Sequence, residues 1–402
     1  METKTLLISL VSDQTRPNVQ LAKELKITDY LFISTEAMER KGCRKWIENA
    51  LNISDNNLLK VDENSFEDIK NKLDSFDYTQ YDEIIVNLTG GTKVMTLVVS
   101  EYFKNTNGNV RMFYITNKNE LLQSYPDIHS IQWDPEYTLS EYMKSYGFDC
   151  SDMNKLSCCG LEQATKIYEA FSNNNNIYEE YKEAIKCIQS KRGSKISTND
   201  YNKVKSYLEY ISFTPKTANQ LSKEETKYLS GEWFEEYVGL KLKQELQLTD
   251  DDIWIGTNIS KELAQTNKND KRILVGEDAP LKDEPLDNEM DIMFMYKGKF
   301  YTIECKTSTL TIIDNKPKNI LGDTIYKADS LQKKFGLYAD TTIITLTNFN
   351  SFCKDSKNNY IDNNIRPINN CINRANLSNI RIIDGAMMKK SETIYSLLGI
   401  KL

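Results

Sequence analysis

Two apolar, β-prone segments separated by a short turn constrain this sequence more than any other feature. The segments span residues 290–296 and 299–306, and Lys297-Gly298 between them is typical of a two-residue hairpin turn. A turn of that length brings Asp291 opposite Glu304 in an antiparallel pair. A three-residue turn would instead place Asp291 on the other face of the sheet.

Three charged side chains are expected to meet on this predicted hairpin. Lys306 follows Glu304 by two residues, so both side chains lie on one face, and Asp291 joins them if the turn has two residues. Unpaired charges are costly inside apolar strands, and a divalent cation is a natural partner for two carboxylates. A structural ion pair that only neutralises Lys306 is the alternative.

Composition narrows the possible chemistry. The single histidine, His129, lies near no nucleophile motif, which disfavours Ser-His-Asp and Cys-His hydrolases and histidine-dependent ribonucleases. The 8 cysteines form no C-x-x-C pair, so a zinc site is disfavoured. A formal net charge of -7 argues against a nucleic-acid coat protein, whose affinity comes from neutralising phosphates. It is compatible with a nuclease, in which only the cleft must be basic.

The amino-terminal part alternates predicted strands and helices, as in an α/β sheet. Predicted strands cover residues 5–11, 30–34, 83–88 and 110–115, and predicted helices cover residues 19–26, 40–51, 66–73 and 94–103. With 402 residues, the chain is long enough for a second domain. Residues 146–222 are predicted to form a helical spacer before it. In the second domain, a helix around residues 326–336 should precede a strand over residues 341–347.

Open α/β sheets bind ligands at the carboxyl ends of their strands. After the first predicted strand come Ser12, Gln14 and Thr15, and Thr35 follows the second. These four residues are candidate ligand-binding residues.

The third predicted strand ends in a second candidate loop, made of Gly90, Gly91, Thr92 and Lys93. Two glycines let the backbone approach a ligand, and the N–H groups at the start of the following helix favour an anion. The loop is neither a Walker A motif nor G-x-G-x-x-G, so ordinary nucleotide binding is poorly supported. A tight strand-to-helix turn that requires glycine is the structural alternative.

Asp291 with Glu304-Cys305-Lys306 resembles the catalytic core of the PD-(D/E)xK nuclease superfamily. The segment 231–235 is similar to the G-x-x-F-E helix of its restriction-endonuclease-like branch. This likeness implies that Glu235 is the acid on that helix, with Glu232 as the alternative. Met290 stands where the superfamily name has proline, a position that is poorly kept among such enzymes.

The nuclease resemblance implies a divalent-metal mechanism. Asp291, Glu304 and Glu235 would hold one or two Mg²⁺ or Mn²⁺ ions through oxygen ligands. Lys306 would orient the attacking water or neutralise the transition state. Lysines of the helix predicted around residues 326–336 would contact phosphates, or would simply form a solvated face.

The loop over residues 89–93, together with the loop after the first strand, resembles the CARF domain of CRISPR-associated proteins. Such domains dimerise and bind a cyclic oligoadenylate across the two-fold axis, which the resemblance implies here. Cyclic tetra-adenylate is the expected activator, with cyclic hexa-adenylate as the alternative. A CARF domain followed by a PD-(D/E)xK domain resembles the ancillary nucleases of type III CRISPR systems.

The sequence therefore predicts an α/β protein in three parts. A Rossmann-like CARF sensor covers residues 1–145, a helical spacer covers 146–222, and a restriction-endonuclease-like α/β/α nuclease domain covers 223–402. The expected protein is a cytoplasmic homodimer with no membrane span, cleaving DNA and possibly RNA, in single-stranded form. Two alternatives are a ligand-controlled DNA-binding regulator without catalysis and a ring nuclease that degrades the messenger.

Overall fold

The structure is a computed structural model of the chain. It describes residues 3–106, 108–116, 118–133, 137–149, 159–174, 176–261, 288–313, 316–337, 339–349 and 365–401. Within these ranges, no helix combines the length and the apolar character needed to cross a membrane.

The amino-terminal domain is built on a mixed, mainly parallel sheet. Its elements are β1 (Thr5–Leu10), α1 (Arg16–Glu24), β2 (Asp29–Thr35), α2 (Glu36–Lys41), α3 (Cys43–Leu51), β3 (Asn57–Val61), α4 (Phe66–Asp74), β4 (Glu83–Asn87), α5 (Lys93–Lys104), β5 (Val110–Ile115), β6 (Leu121–Tyr125), β7 (His129–Ile131), α6 (Leu139–Ser145) and β8 (Phe148–Asp149). The sheet has the order β3-β2-β1-β4-β5-β6-β7. Strands β3, β2, β1, β4 and β5 run parallel, and β6 and β7 are antiparallel.

The four strands predicted from apolar runs in this domain are confirmed as β1, β2, β4 and β5. Every residue of β1 is buried, as expected of a strand covered on both faces. Strand β3 lies at the sheet edge and buries only Val61, so it lacks the apolar run that identified the others. The helix predicted over residues 40–51 is two helices, because Gly42 adopts a φ of 82° between them.

The second domain combines helices with another mixed sheet. Its elements are α7 (Gly160–Asn173), α8 (Ile177–Glu180), α9 (Lys182–Ser190), α10 (Thr198–Tyr201), α11 (Lys205–Tyr210), α12 (Lys223–Lys227), a π-helical turn (Tyr228–Glu232), α13 (Trp233–Leu246), β9 (Ile253–Lys261), β10 (Asn288–Tyr296), β11 (Lys299–Lys306), β12 (Leu310–Ile313), β13 (Lys316–Asn319), α14 (Leu321–Gln332), β14 (Ala339–Thr345), α15 (Ile365–Leu377), β15 (Ile380–Ile383), α16 (Gly385–Lys390) and α17 (Ile394–Leu397). The sheet order is β15-β14-β11-β10-β9-β8.

The predicted hairpin is present as β10 and β11. The antiparallel register pairs Tyr296 with Lys299, so the turn has two residues as predicted. Lys297 and Gly298 have φ values of 47° and 67°, the positive angles that a type I′ turn requires. The predicted helix before β14 is present as α14, but it ends at Gln332 and does not continue to residue 336.

The helices between the two sheets pack on the second domain. Ala164, Ile188 and Tyr207 are buried in one core cluster with Trp233 of α13 and Ile303 of β11. The region predicted as a spacer therefore shares the hydrophobic core of the carboxyl-terminal sheet.

A continuous core also joins the two domains. Strand β8, at the end of the amino-terminal elements, pairs with β9 and extends the second sheet. Trp46 and Tyr142 lie in one buried cluster with Met293 and Phe300 of the hairpin. The rings of Tyr142 and Phe300 stack with their centroids 4.3 Å apart. The two domains therefore meet over packed side chains.

We expect Gly147, which links α6 to β8, to tolerate no side chain. It has a φ of 77°, and a Cβ atom there would lie 2.4 Å from Trp46 Cε2. Gly147→Ala should therefore lower the free energy of unfolding by more than the ~1–2 kcal/mol that positive φ alone costs.

Gly193→Ala is the matched control for this variant. Gly193 has a φ of 71°, but the nearest atom to an added Cβ is Lys227 Cε at 3.5 Å. Denaturant titration of both variants measures the difference. Equal losses of unfolding free energy would show that the contact with Trp46 imposes no constraint.

Candidate active site and ligand loops

The hairpin brings three predicted site residues together. The register pairs Ile292 with Ile303, so Asp291 and Glu304 are opposite each other one position further along. Lys306 Nζ lies 2.7 Å from Glu304 Oε1 and 3.3 Å from Asp291 Oδ2. Asp291 Oδ2 also accepts a hydrogen bond from the backbone N–H of Cys305, at 2.7 Å. The lysine ammonium therefore bridges the two carboxylates.

Burial changes the proton affinity of this cluster. Asp291 and Glu304 are 5% and 8% exposed. Burial, reinforced by the charge of Glu304, raises the pKa of Asp291 to about 6. Burial lowers the pKa of Lys306, but the charges of Asp291 and Glu304 raise it by more, so the pKa of Lys306 lies above its ordinary value. The Lys306 side chain therefore stays protonated more readily than a free lysine, whereas the Asp291 carboxyl has a pKa of about 6.

Helix α13 supplies the third predicted acid. The pKa of Glu235 is raised well above its ordinary value by burial, and next by the charge of Asp291. Its Oε2 is buried and accepts no hydrogen bond from the described residues. Glu232, the alternative, instead pairs with Arg192 at 3.2 Å. Among the described residues, Glu232 therefore has an ion-pair partner within 4 Å and Glu235 has none, although the charge of Lys306 acts on Glu235.

A second lysine reaches the same carboxylate from helix α14. Lys327 Nζ lies 3.3 and 3.5 Å from the two oxygens of Glu304 and 3.2 Å from the carbonyl oxygen of Glu289. The sequence suggested phosphate contacts for the lysines of this helix, and no pattern in it indicated that Lys327 lies beside Glu304. The two residues meet because α14 packs on β14, the neighbour of β11 in the sheet.

The donor chemistry of this cluster fits a hard divalent cation. Carboxylate oxygens of Asp291, Glu304 and Glu235 are the ligands that Mg²⁺ and Mn²⁺ prefer. Glu235 Oε2 is buried and has no hydrogen-bond partner among the described residues, and burial, followed by the charge of Asp291, raises the pKa of Glu235. In the described part of the chain, no three acidic, histidine or cysteine side chains form a ready set of metal ligands. Lys306 Nζ would have to withdraw for both hairpin carboxylates to bind one ion.

The predicted glycine loop of the amino-terminal domain lies close against β1. A Cβ atom on Gly90 would be 2.0 Å from the carbonyl oxygen of Leu10 and 3.4 Å from Ser12 Oγ. Gly91 has a φ of 73°, which favours glycine. The structure therefore brings the glycine loop and Ser12 together.

Two predicted threonines act as helix caps. Thr92 Oγ1 accepts a hydrogen bond from Met95 N at 3.2 Å at the start of α5, and Thr35 Oγ1 accepts one from Met38 N at 3.3 Å at the start of α2. Lys93 is exposed, and its ammonium contacts no other side chain of the described residues. It remains available for a ligand.

The side chains of Gln14 and Thr15 point away from the glycine loop, beside which Ser12 lies. Gln14 Oε1 accepts hydrogen bonds from Leu337 N at 3.1 Å and from the Tyr146 hydroxyl at 3.4 Å. Thr15 is fully buried and donates to the carbonyl oxygen of Ser145. Their side chains therefore face α6 and the second domain, which a pattern of loop residues after a strand cannot reveal.

A buried amide pair that the sequence analysis missed holds the loops in place. Asn87 Nδ2 donates to Asn18 Oδ1 at 2.8 Å, and Asn18 Nδ2 donates to the carbonyl oxygen of Leu10 at 3.1 Å. Asn87 Oδ1 also accepts from Thr89 N at 3.0 Å. Asn87 is the polar last residue of the otherwise apolar strand β4, which is a signal for its half of the pair, whereas Asn18 lies in α1.

Comparison with known proteins supports the two-domain description. Residues 6–142 match the family model of the Card1 CARF domain. The predicted amino-terminal CARF domain is thereby confirmed over these residues. No curated protein sequence matches the chain.

Three solved structures share the fold. Protein VC1899 from Vibrio cholerae has a TM-score of 0.65 and 16% identity, with 96% of this chain and 95% of that chain covered. Can2 from Sulfobacillus thermosulfidooxidans, solved with cyclic tetra-adenylate, has a TM-score of 0.64 and 17% identity, covering 96% and 94%. A type III CRISPR defence DNA nuclease activated by cyclic oligoadenylate has a TM-score of 0.50 and 15% identity, covering 86% of this chain and 45% of that one. The predicted fold class, with two α/β domains, is confirmed by these similarities.

We expect Mn²⁺ to raise the melting temperature of the wild-type chain, because an ion bound only by the folded state stabilises it. At 100 times the dissociation constant the gain is about 2.7 kcal/mol. The gain should shrink as the pH falls through about 6, where protons compete with the ion for Asp291. Without Mn²⁺ the sign is opposite, since a raised carboxyl pKa favours folding at low pH and this contribution is lost as the pH rises through that value.

Glu304→Gln should abolish the Mn²⁺ response, because the amide binds divalent cations more weakly than the carboxylate. Asp340→Asn is the control, since Asp340 pairs with Lys299 at the other end of β11. Differential scanning fluorimetry with and without Mn²⁺ makes both measurements. An undiminished Mn²⁺ shift in Glu304→Gln would contradict the assignment of this carboxylate as a ligand.

Proposed function

We propose that this chain is a type III CRISPR ancillary nuclease that requires a divalent metal and is activated by a cyclic oligoadenylate. One combination carries the proposal: a matched CARF domain and a buried Asp-Glu-Lys cluster on a hairpin occur in one chain. Can2, whose fold this chain shares, binds cyclic tetra-adenylate, and another similar structure is a nuclease activated by cyclic oligoadenylate.

The activator proposed for the CARF domain is cyclic tetra-adenylate. Its phosphates would lie against the backbone of Gly90 and Gly91 and the amino end of α5, where N–H groups favour anions. Lys93 and Ser12 border the same loop and supply a charge and a hydroxyl. A symmetric ring suits a two-fold dimer, so we propose a homodimer in which each copy contributes one such loop.

The proposed reaction is hydrolysis of a phosphodiester bond. A divalent cation held by Asp291, Glu304 and Glu235 would polarise the scissile phosphate and lower the pKa of the attacking water. Lys306, displaced from between the carboxylates, would contact the phosphate oxygens and neutralise charge that develops there. Lys327 would then remain as the cationic partner of Glu304, because it reaches both oxygens of that carboxylate from a different helix.

The proposed substrate is nucleic acid in single-stranded form. DNA is favoured because one of the structures that share the fold is a DNA nuclease, and RNA is the second substrate to test. The substrate would approach along the face of β11 that carries Glu304 and Lys306, where Lys327 adds positive charge.

We expect Glu304→Ala to lower messenger-dependent cleavage at least about 100-fold, because the variant loses a metal ligand and an acceptor for two lysines. Cyclic tetra-adenylate binding should persist, because Glu304 lies in the second domain. Asp340→Ala is the matched control, as an acid on the same sheet outside the cluster. The measurement is cleavage of labelled single-stranded DNA and RNA with Mn²⁺, with and without cyclic tetra-adenylate.

The other outcomes of that experiment separate the alternatives. Loss of the messenger itself while Glu304→Ala is present would identify a ring nuclease. Binding of DNA without cleavage under any metal or messenger would identify a regulator. In that case the cluster of Asp291, Glu304 and Lys306 would be a structural ion pair.

We expect Lys93→Ala to weaken cyclic tetra-adenylate binding about tenfold, because the substitution removes a positive charge from the proposed phosphate site. The variant removes no side-chain contact described for Lys93, so folding should be unaffected. Lys104→Ala, at the opposite end of α5, is the control. Equilibrium binding of labelled cyclic tetra-adenylate is the measurement, and an unchanged dissociation constant in Lys93→Ala would remove this loop from the ligand site.

A further inference from the structure

The loop that follows β1 makes direct contacts with the second domain. Gln14 Oε1 accepts a hydrogen bond from Leu337 N, which lies between α14 and β14. The Arg16 guanidinium, 1% exposed at the start of α1, donates from Nη2 to the carbonyl oxygen of Gly298 at 2.5 Å. The same Nη2 donates to Asn119 Oδ1 at 2.9 Å. Gln14 in this loop and Arg16 at the start of α1 therefore bind two separate backbone sites of the second domain.

The backbone site that Arg16 binds is the turn of the catalytic hairpin. Gly298 connects β10, which carries Asp291, with β11, which carries Glu304. Gly298 has a φ of 67°, so the turn is a tight one whose carbonyl direction is fixed. A displacement of α1 would therefore act on the hairpin at the point where its two strands join.

The side chain through which the hairpin packs on the amino-terminal domain lies on the same face of the hairpin as the proposed catalytic residues. Side chains alternate along β11, so Phe300 shares a face with Glu304 and Lys306. Phe300 stacks on Tyr142 of the amino-terminal domain at 4.3 Å. Four residues of extended strand, about 13 Å, separate Phe300 from Glu304 along that face. The interdomain contact and the carboxylate cluster thus lie on one rigid element.

We propose that Gln14 and Arg16 are positioning residues that transmit occupancy of the CARF ligand loop to the catalytic hairpin. This inference rests on the proposed function and names the residues through which activation passes. Ser12 lies beside the glycine loop, with its Oγ 3.4 Å from the position a Cβ on Gly90 would take. Gln14 and Arg16, a few residues further along, contact the second domain. Gln14 was predicted to bind the ligand, and this inference assigns its side chain to Leu337 instead.

The test uses the full-length chain and two single-residue variants. Gln14→Ala removes the acceptor for Leu337 N. Arg16→Lys keeps the charge but shortens the side chain and removes the planar fork that reaches Gly298 and Asn119. The control is Asp13→Ala, because Asp13 lies in the same loop but pairs with the exposed Lys41 at 2.8 Å.

Three measurements distinguish a role of Gln14 and Arg16 in activation from a purely structural role and from a role in binding the messenger. They are the dissociation constant for cyclic tetra-adenylate, the cleavage rate at saturating messenger, and the messenger-induced change in hydrogen exchange over residues 288–306. Thermal unfolding verifies that each variant is folded. We expect both variants to bind the messenger within about threefold of wild type. Both should lose at least about tenfold in activated cleavage. The exchange response of the hairpin should be lost with it, whereas Asp13→Ala should match wild type in every readout.

Several results would overturn the inference. Folded variants that keep both activation and the exchange response would make the two contacts merely structural. A parallel loss of messenger binding would make Gln14 a ligand residue, as the sequence predicted. A wild-type hairpin whose exchange does not respond to the messenger would also overturn it. In contrast, an intact exchange response without any cleavage by the wild type would refute the proposed nuclease and leave the transmission in place.

Discussion

The bridge that Lys306 forms between Asp291 and Glu304 is the interaction on which the candidate site in the second domain depends. Two carboxylates in apolar strands repel each other and lose hydration, so the fold must supply cations close to them. Lys306 supplies one from the same strand, and Lys327 supplies another from α14. The arrangement depends on a two-residue turn, since one further residue would rotate Asp291 to the opposite face.

Glu235 lies near this cluster and forms no ion pair with any residue that the structure describes, although the charge of Lys306 acts on it. Its raised pKa has the same origin as that of Asp291, namely burial beside other acids. Groups with such shifts are concentrated at functional sites, because a charge that would stabilise them arrives only with a ligand. A purely structural pair would need only one carboxylate for Lys306. Lys306 and Lys327 pair with Asp291 and Glu304, and neither forms an ion pair with Glu235. A third acid beside two paired ones favours a site that receives a cation.

Much of this organisation was predictable from sequence because it depends on local rules. Strand β1 was predicted from an uninterrupted apolar run, and the hairpin from turn residues that adopt positive φ. The proximity of Asp291, Glu304 and Lys306 followed from the two-residue period of a strand. The resemblance of the glycine loop to CARF domains agrees with the family match over residues 6–142.

What the sequence did not reveal depends on contacts between distant segments. Gln14 is adjacent to a ligand loop in sequence, yet its side chain accepts from Leu337, which is 323 positions away. Lys327 reaches Glu304 from α14, which packs on β14, the neighbour of β11 in the sheet. The helices of the predicted spacer are amphipathic, which predicts a buried face but not its partner. Strand β3 lacks burial and therefore lacks a periodic signal.

The packed joint between the domains restricts how a messenger can act. A flexible linker would let the CARF domain change without any effect on the hairpin, whereas close-packed cores change between discrete arrangements. Tyr142 stacks on Phe300, and Trp46 lies in the same cluster as Met293, so a rearrangement of one domain cannot leave the other unaltered. A ligand shifts such an equilibrium only by the difference between its affinities for the two arrangements. By the same reciprocity, if the proposed cation or substrate favours one arrangement of the hairpin, it would tighten the binding of an effector that favours the same arrangement by an equal factor.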